Sequence, residues 1–178
     1  MSRAVEVVRT YLELQTREQL RRAPSDDPSV RFVHRAGITP QHYRRLYGAV
    51  GHRWHWHDRD AWSDEMLAAH LDRPDVSVWE CLVGDQSAGY FELLRCADGS
   101  AEIAYFGLAE PFIGRGVGKA MLTRAVEEAW ALNPTRVWLH TCTLDSPHAL
   151  PNYLARGFTP VRRERYVAEL PDDSSRRE

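Results

Sequence analysis

Residues 101–132, AEIAYFGLAEPFIGRGVGKAMLTRAVEEAWAL, decide the predicted fold. The first part of this stretch is rich in apolar, aromatic and β-branched residues, which is typical of a strand. The last part places apolar residues at helical steps and charged residues on the other side, which predicts an amphipathic helix. Between them lie Gly114, Gly116 and Gly118. Because a glycine-rich turn that opens a helix presents unpaired N–H groups at the positive end of the helix dipole, we expect a phosphate to bind there.

The spacing of these glycines excludes two common nucleotide-binding motifs. A P-loop needs Ser or Thr after its Gly-Lys pair, but Gly118-Lys119 is followed by Ala120. The dinucleotide fingerprint needs a third glycine where this chain has Lys119. The remaining pattern, Gly-x-Gly-x-Gly after a strand, resembles the pyrophosphate loop of the GNAT (Gcn5-related N-acetyltransferase) family, which binds acetyl-CoA.

A second motif strengthens this resemblance. The segment from Tyr153 to Phe158, YLARGF, resembles the Y-x-x-x-G-F that closes the GNAT fold. The two motifs occur in the family's order and spacing. The sequence departs from the family pattern at two positions. It has Ile113 where Gln or Arg is usual, and the customary proline of the family is displaced to Pro111. Backbone donors are therefore expected to provide most of the phosphate contacts.

The resemblance implies a fold class and a cofactor site. The fold is α/β (α+β), with a mixed, mostly antiparallel central sheet flanked by helices and splayed at a slot for acetyl-CoA. Gly107 suits the β-bulge at which the strands separate. The residues expected to bind acetyl-CoA are Phe106, Gly107, Leu108, Ile113, Gly114, Arg115, Gly116, Val117, Gly118, Lys119, Ser146, Asn152 and Tyr153.

Length and composition bound the class of protein. The 178 residues fit one domain, 1–178, with 1–29 as an N-terminal extension and 171–178 as a flexible tail. The net charge of −2 implies no nucleic-acid partner. The sequence has no bilayer-spanning apolar run and no signal peptide, and its three cysteines are scattered, so we expect a cytoplasmic protein without a membrane partner. A homodimer is the commonest assembly of a small enzyme.

Hydrophobic patterns and turn residues predict the order of the elements. The first segment is expected to be an extra edge strand or a packing arm, which could also border the substrate mouth or a dimer partner. The predicted elements are a strand over 4–14, a short helix over 16–22, a strand over 31–35, helices over 40–50 and 63–71, strands over 76–83 and 87–95, a strand from 101, the helix after the glycines to 132, a strand over 136–141, a two-turn helix opening at 145–147, and a last strand over 158–170.

Two residues are predicted to be catalytic. Glu102 matches the position at which the histone acetyltransferase branch of the family places its general base, and burial among apolar neighbours would raise its pKa usefully. Alternatively, Glu102 is an exposed carboxylate of the strand without a catalytic role. Glu92 is the second candidate for the general base. The resemblance implies that Tyr153 donates a proton to the leaving thiolate; otherwise Tyr153 is a core residue. The N–H of Leu108 is the expected oxyanion donor.

The acceptor site is expected along residues 51–62, GHRWHWHDRDAW. Trp54 and Trp56 would form an apolar or cation-binding wall, and Arg59 would hold an acceptor carboxylate. The alternative is a loop packed by its own tryptophans. Other residues assigned to the acceptor side are Glu92 and His140, the latter as a proton relay or a hydrogen-bonded core histidine. His52, His55, His57 and Asp58 have metal-ligating side chains, but acetyl transfer needs no metal and none is predicted.

The sequence thus predicts an N-acetyltransferase that moves an acetyl group from acetyl-CoA to a primary amine of a small molecule or peptide. Transfer would be direct, in a ternary complex, because no cysteine falls in the matched motifs. Two alternatives stay open. One is another acyl donor or an alcohol acceptor, and the other is a non-catalytic acyl-CoA sensor.

Overall fold

The computed structural model describes residues 2–171, so residues 172–178 of the predicted tail lie outside the described part. The strands are β1 (Ser2–Leu14), β2 (Val30–His34), β3 (Val76–Val83), β4 (Gln86–Arg95), β5 (Ala101–Leu108), β6 (Val137–Cys142) and β7 (Thr159–Pro171). The helices are α1 (Pro40–Gly51), α2 (Asp64–Leu71), α3 (Val117–Ala131) and α4 (Ala149–Ala155). The strands form one sheet in the order β2-β3-β4-β5-β6-β1-β7, in which only β5 and β6 are parallel. The predicted fold class is confirmed.

A hydrophobic core lies on each face of the sheet. On one face, α3 contributes Met121 to a cluster that includes Leu139 of β6. On the other face, Tyr43 of α1 and Leu67 of α2 pack against Tyr90 of β4. The strands between the two cores are therefore fixed from both sides, which gives a rigid frame for side chains that project from their ends.

The first strand is not at an edge, and that part of the prediction is wrong. β1 lies between β6 and β7 and is antiparallel to both. Leu12 and Leu14 are fully buried in the α3-side core. An edge strand pairs with another strand on one side only. The long apolar alternation of β1 instead suits a strand that has a neighbouring strand on each side and a hydrophobic core against one face.

Two predicted helices are shorter than expected. The segment after β1 forms a single 3-10 turn, Arg17–Gln19, and then runs extended because Arg21 N–H donates to Arg156 O at 3.0 Å. α4 begins at Ala149 rather than at the Asp145 region. Asp145 instead closes the turn after β6, where its Oδ2 accepts from Cys142 N–H at 2.8 Å.

β5 and β6 separate as predicted, but the bulge is elsewhere. The two strands pair only at the level of Ala101 and Glu102 and diverge beyond. The register shift between β5 and β4 leaves Ala104 as the extra residue, so the placement of the bulge at Gly107 is wrong. Gly107 is needed for another reason, since a Cβ there would lie 2.3 Å from Cγ1 of Val50 on α1. The separation opens a gap in the middle of the sheet.

Candidate functional site

A cleft of about 580 Å³ occupies the gap between β5 and β6. Its walls come from β5, the glycine turn, α4, β6, β1 and the loop that joins α1 to α2. We call the side near α3 and the glycine turn the cofactor side, and the side near β1 and the α1–α2 loop the acceptor side.

The glycine turn leaves the start of α3 open. Gly114 and Gly116 have φ angles of +80° and +79°, which side chains rarely adopt. Gly116 is the N-cap of α3, makes no side-chain cap, and no acidic residue lies in the first helical turn. The N–H groups of that turn therefore keep their capacity to bind an anion.

Most residues predicted to bind the cofactor line the cleft together. The two exceptions are Val117, which is buried in the core, and Arg115, whose guanidinium lies 5.5 Å from the ring centre of Phe112. The predicted residues that line the cleft are Phe106, Gly107, Leu108, Ile113, Gly114, Gly116, Gly118, Lys119, Ser146, Asn152 and Tyr153.

Part of the main chain of β5 faces the cleft, beyond the residues that pair with β6. Ala109 N–H donates to Ala88 O, on the β4 side, at 2.9 Å. Because main-chain groups of a strand alternate in direction, those of Leu108 and Phe106 point to the opposite side, where β6 has diverged. An extended ligand could pair with them as an added strand would.

Glu102 lines the cleft and has a strongly perturbed pKa. Burial, with a smaller contribution from the Glu92 carboxylate, raises the pKa of Glu102 from 4.5 to about 7. The side chain is thus neither permanently charged nor permanently neutral near pH 7. A carboxyl group with this property suits general-base catalysis.

Tyr153 lines the cleft from α4. Its ring lies edge-on to Phe106, with 6.1 Å between ring centres, and the residue is 6% exposed. Burial raises the pKa of Tyr153 above its usual value, so the phenol keeps its proton at neutral pH. Asn152 Nδ2 donates to Gly118 O at 3.3 Å and so fixes α4 against the start of α3.

His140 faces the acceptor side of the cleft. Its ring lies 5.6 Å from that of Tyr11 on β1. Partial burial and the positive charge of Arg9 lower the pKa of His140. The ring is therefore neutral at pH 7, which is compatible with a proton relay and removes its charge from the cleft.

The positions of the loop tryptophans are compatible with both alternatives, an acceptor wall and a packed loop. Trp54 and Trp56 both line the cleft. Trp56 also packs with Tyr105 and Tyr47, at 5.1 and 5.6 Å between ring centres. The wall is therefore held in place by the core on the α1 side of the sheet.

Arg59 and Glu92 lie behind this wall, and the acceptor roles assigned to them do not fit. The Arg59 guanidinium donates to both carboxylate oxygens of Glu92 at 2.8 Å, and Glu92 is 1% exposed. Tyr43 Oη and His70 Nε2 also contact this carboxylate, at 2.7 and 2.8 Å. Burial alone would raise the pKa of Glu92, but the hydrogen bonds from His70 and Arg59 lower it. Glu92 is therefore ionised at neutral pH, and its carboxylate already has donors in Arg59, Tyr43 and His70.

Several residues that line the cleft were not assigned to the site from the sequence, among them four polar ones. Three come from the strands around β1: Arg9, Cys142 and Tyr166. The fourth, Asp58, accepts from Tyr105 Oη at 3.2 Å. These three residues were missed because β1 was assigned to an N-terminal extension. The alternation of apolar and polar residues in β1 could have indicated a central strand.

The histidines of the α1–α2 loop have other partners. His57 Nδ1 lies 2.8 Å from Asp60 Oδ2, and His52 Nδ1 lies 3.1 Å from Gly48 O. Within residues 2–171 no group of three potential ligands is placed to hold a metal ion. Among the helices that the structure describes, none has the length and apolar composition needed to cross a bilayer.

Comparison with known proteins identifies the family. The model of the acetyltransferase (GNAT) family matches residues 44–158, a range that contains β5, the glycine turn and α4. The search of curated proteins found no match.

Solved structures share the fold at low sequence identity. A GCN5-related N-acetyltransferase from Kribbella flavida is 16% identical with a TM-score of 0.63, over 94% of this chain and 60% of that chain. One from Sphaerobacter thermophilus is 17% identical with a TM-score of 0.65, over 96% and 54%. An aminoglycoside acetyltransferase from an uncultured soil metagenomic sample, in complex with sisomicin, is 16% identical with a TM-score of 0.59, over 74% and 90%. The chain thus spans 60% or less of the first two proteins. At these identities the likeness establishes the fold alone.

Proposed function

The chain belongs to the acetyltransferase (GNAT) family, and we propose that it transfers an acetyl group from acetyl-CoA to a primary amine of a small molecule or peptide. The observation that carries this proposal is a single cleft that combines an open glycine turn with a carboxyl group whose pKa is about 7. A protein that only sensed acyl-CoA would need the first feature and not the second.

The residues of the cofactor side fit acetyl-CoA. The main-chain N–H groups after Gly116 would bind the pyrophosphate, since no side chain caps them. The main-chain groups of Phe106 and Leu108 would pair with the pantetheine arm. The cofactor would supply an acetyl thioester near Tyr153.

The chain's own groups supply the proton transfers. The Glu102 carboxylate accepts a proton from the acceptor amine, directly or through water, and its pKa lets it do so near pH 7. The Tyr153 hydroxyl keeps its proton at neutral pH and would donate it to the thiolate that leaves acetyl-CoA. The Leu108 N–H faces the cleft as a hydrogen-bond donor for developing negative charge. Burial raises the pKa of Cys142, which favours its thiol form and supports direct transfer.

An assay of free thiol release from acetyl-CoA tests the proposal. The panel would contain amines, alcohols and the aminoglycoside sisomicin, chosen because a structural neighbour was solved with it. Amine-dependent release of CoA, with a matching acetylated product by mass spectrometry, is the expected result. Tight binding of acetyl-CoA without release to any acceptor would instead favour the sensor, and release only with alcohols would favour O-acetylation.

Gly116→Asp is expected to weaken acetyl-CoA binding at least tenfold, or about 1.4 kcal/mol. The new carboxylate would stand at the helix N-terminus and repel the pyrophosphate. Calorimetric titration with acetyl-CoA measures this effect. Gly37→Asp is the matched control, because Gly37 has a φ of +66° and open space around it but lies outside the cleft. An unchanged affinity in folded Gly116→Asp would contradict the phosphate assignment.

Tyr153→Phe is expected to lower kcat by about 10²-fold and to leave acetyl-CoA affinity near normal. The ring keeps its packing with Phe106, whereas the proton donor is lost. Single-turnover kinetics isolate the chemical step. Tyr47→Phe is a control that removes a largely buried hydroxyl outside the cleft. If the Tyr153 variant keeps the wild-type single-turnover rate, Tyr153 has only a structural role.

A further inference from the structure

Arg9 is a cation that faces the acceptor side of the cleft. Its Nε is buried without a hydrogen-bond partner within residues 2–171. One terminal nitrogen lies 3.5 Å from Tyr166 Oη, and the guanidinium lies 5.0 Å from the Tyr166 ring centre. No carboxylate of the described residues lies within 4.0 Å of Arg9. Arg9 as a whole is only partly buried, and a guanidinium with an unused donor in a cleft is a ready ligand for an anion.

The neighbouring carboxylates are already engaged. Glu164 is directly opposite Arg9 in the β1–β7 register. However, Glu164 accepts from Tyr11 Oη at 2.9 Å and forms an ion pair with Arg162. Asp145, on the far side of β6, accepts from Thr141 Oγ1 at 2.7 Å and from Cys142 N–H. The positive charge of Arg9 is therefore available to bind a ligand in the cleft.

Arg9 lies on the face of the sheet opposite to the expected phosphate site, although both border the same cleft. Leu12 and Leu14 pack in the α3-side core, so the alternation of β1 places Tyr11 and Arg9 on the opposite face. The 5.6 Å contact between Tyr11 and His140 confirms that this face borders the acceptor side. The glycine turn belongs to the α3 side. The pyrophosphate that it would bind is thus not the anion that Arg9 faces.

Two carboxyl groups also line the acceptor side. Glu102 and Asp58 line the cleft there, on β5 and on the α1–α2 loop. In the register of β6, Glu102 lies opposite Trp138 and Arg9 lies opposite Cys142. The two residues are thus about 13 Å apart along the strands and about 10 Å apart across them, and their side chains, which both line the cleft, reduce this span. The two ends of the site therefore match an amine and an anion within one molecule of amino-acid to dipeptide size.

We propose that the acceptor is an amine that also carries a carboxylate, and that Arg9 binds this carboxylate. The proposal rests on the acetyl transfer proposed above. A single guanidinium with a neighbouring hydroxyl suits one planar, singly charged group, and a carboxylate accepts its paired N–H donors. The role first assigned to Arg59 thus passes to Arg9, because Arg59 has its own buried carboxylate.

The test compares acceptors that differ only in this charge. Glycine, β-alanine and glycylglycine are each paired with the corresponding amide, and sisomicin serves as an amine without a carboxylate. For the best pair, wild type is expected to favour the acid at least tenfold in kcat/KM. Arg9→Gln is expected to raise KM for the acid at least tenfold and to leave KM for the amide unchanged. Arg9→Lys should recover part of the preference.

Arg163→Gln is the matched control, because Arg163 is exposed on β7, outside the cleft, and the change in charge is the same. This variant should retain the wild-type preference. Thermal unfolding checks that each variant is folded. Equal kcat/KM for acid and amide in wild type, a preference for sisomicin, or equal losses for both substrates in Arg9→Gln would overturn the proposal.

A binding measurement separates this inference from the proposed function. Calorimetry with CoA present would compare N-acetylglycylglycine with its amide, without any turnover. Acetylation of amides alone would refute the carboxylate site and leave the transferase intact. Selective binding of the acid that Arg9→Gln abolishes, without thiol release to any amine, would refute the transferase and retain the site. Equal binding of acid and amide by wild type would refute the site.

Discussion

Glu102→Gln is expected to lower kcat near pH 7 by about 10²–10⁴-fold, the usual contribution of a general base. The substitution keeps the shape of the side chain and removes its ability to accept a proton. Acetyl-CoA affinity should stay the same, because the glycine turn and the main chain of β5 are unchanged. Steady-state and single-turnover kinetics with the best acceptor measure the loss, and calorimetry measures the affinity.

The pH profile distinguishes a base from a merely structural carboxyl. Because the pKa of Glu102 is about 7, wild-type kcat should rise with pH up to about that value as the carboxylate forms. The Gln variant should lack this rise, and part of its activity should return at high pH as the free amine fraction grows. A variant with wild-type kcat/KM at every pH would show that Glu102 is not the base.

Glu102→Gln should lower activity but raise the stability of the folded protein at neutral and high pH. The folded state holds the Glu102 proton more tightly than the unfolded state, whose pKa is 4.5, so ionisation above pH 7 costs about 3 kcal/mol of unfolding free energy. Glu102→Gln removes this cost. Relative to wild type, its stability should rise from pH 4.5 to pH 8 in urea unfolding. The exposed Glu169→Gln should show no such trend.

Arg59→Met is expected to lower the free energy of unfolding by about 3–5 kcal/mol. The substitution leaves the Glu92 carboxylate buried without its main counter-charge, and it removes the anchor of the α1–α2 loop. Arg59 also lies 4.5 and 4.9 Å from the ring centres of Tyr105 and Trp62, so its removal loosens the packing of that loop. Urea unfolding at pH 8 measures the loss.

The pH dependence of the destabilisation by Arg59→Met shows whether the unpaired Glu92 carboxylate causes it. In wild type the lowered pKa of Glu92 stabilises the fold above pH 4.5 and this contribution is lost as pH falls. Without Arg59, burial raises the pKa of Glu92, so protonation relieves the unpaired charge. Arg59→Met should therefore be less destabilising at pH 5 than at pH 8.

Two controls accompany Arg59→Met. Arg22→Met breaks the exposed pair with Glu127, which has a length of 3.0 Å, and should cost less than about 1 kcal/mol. The double variant Arg59→Met, Glu92→Gln should recover part of the loss because it removes the orphaned charge. A single variant as stable as wild type at pH 8 would show that the buried pair does not hold the loop.

Local patterns were sufficient to predict most elements. Helix starts at Thr39 and Ser63 were predicted because a cap bonds only to its own first turn, and both side chains accept from main-chain N–H groups there. The meander of β3, β4 and β5 was predicted because its turns are short and rich in glycine and aspartate. The glycine turn was predicted because its conformation depends on consecutive residues, of which Gly114 and Gly116 have positive φ angles.

The sequence by itself determined what depends on neighbours along the chain: the strand, glycine turn and helix from 101 to 132, and hence the family. Only the tertiary structure decided which distant residues meet. It placed β1 inside the sheet and so brought Arg9 to the cleft, and it paired Arg59 with Glu92 behind the wall. The reason is that the partner of a charged side chain is set by burial and by strand order, which bring together residues far apart in sequence and leave no local pattern.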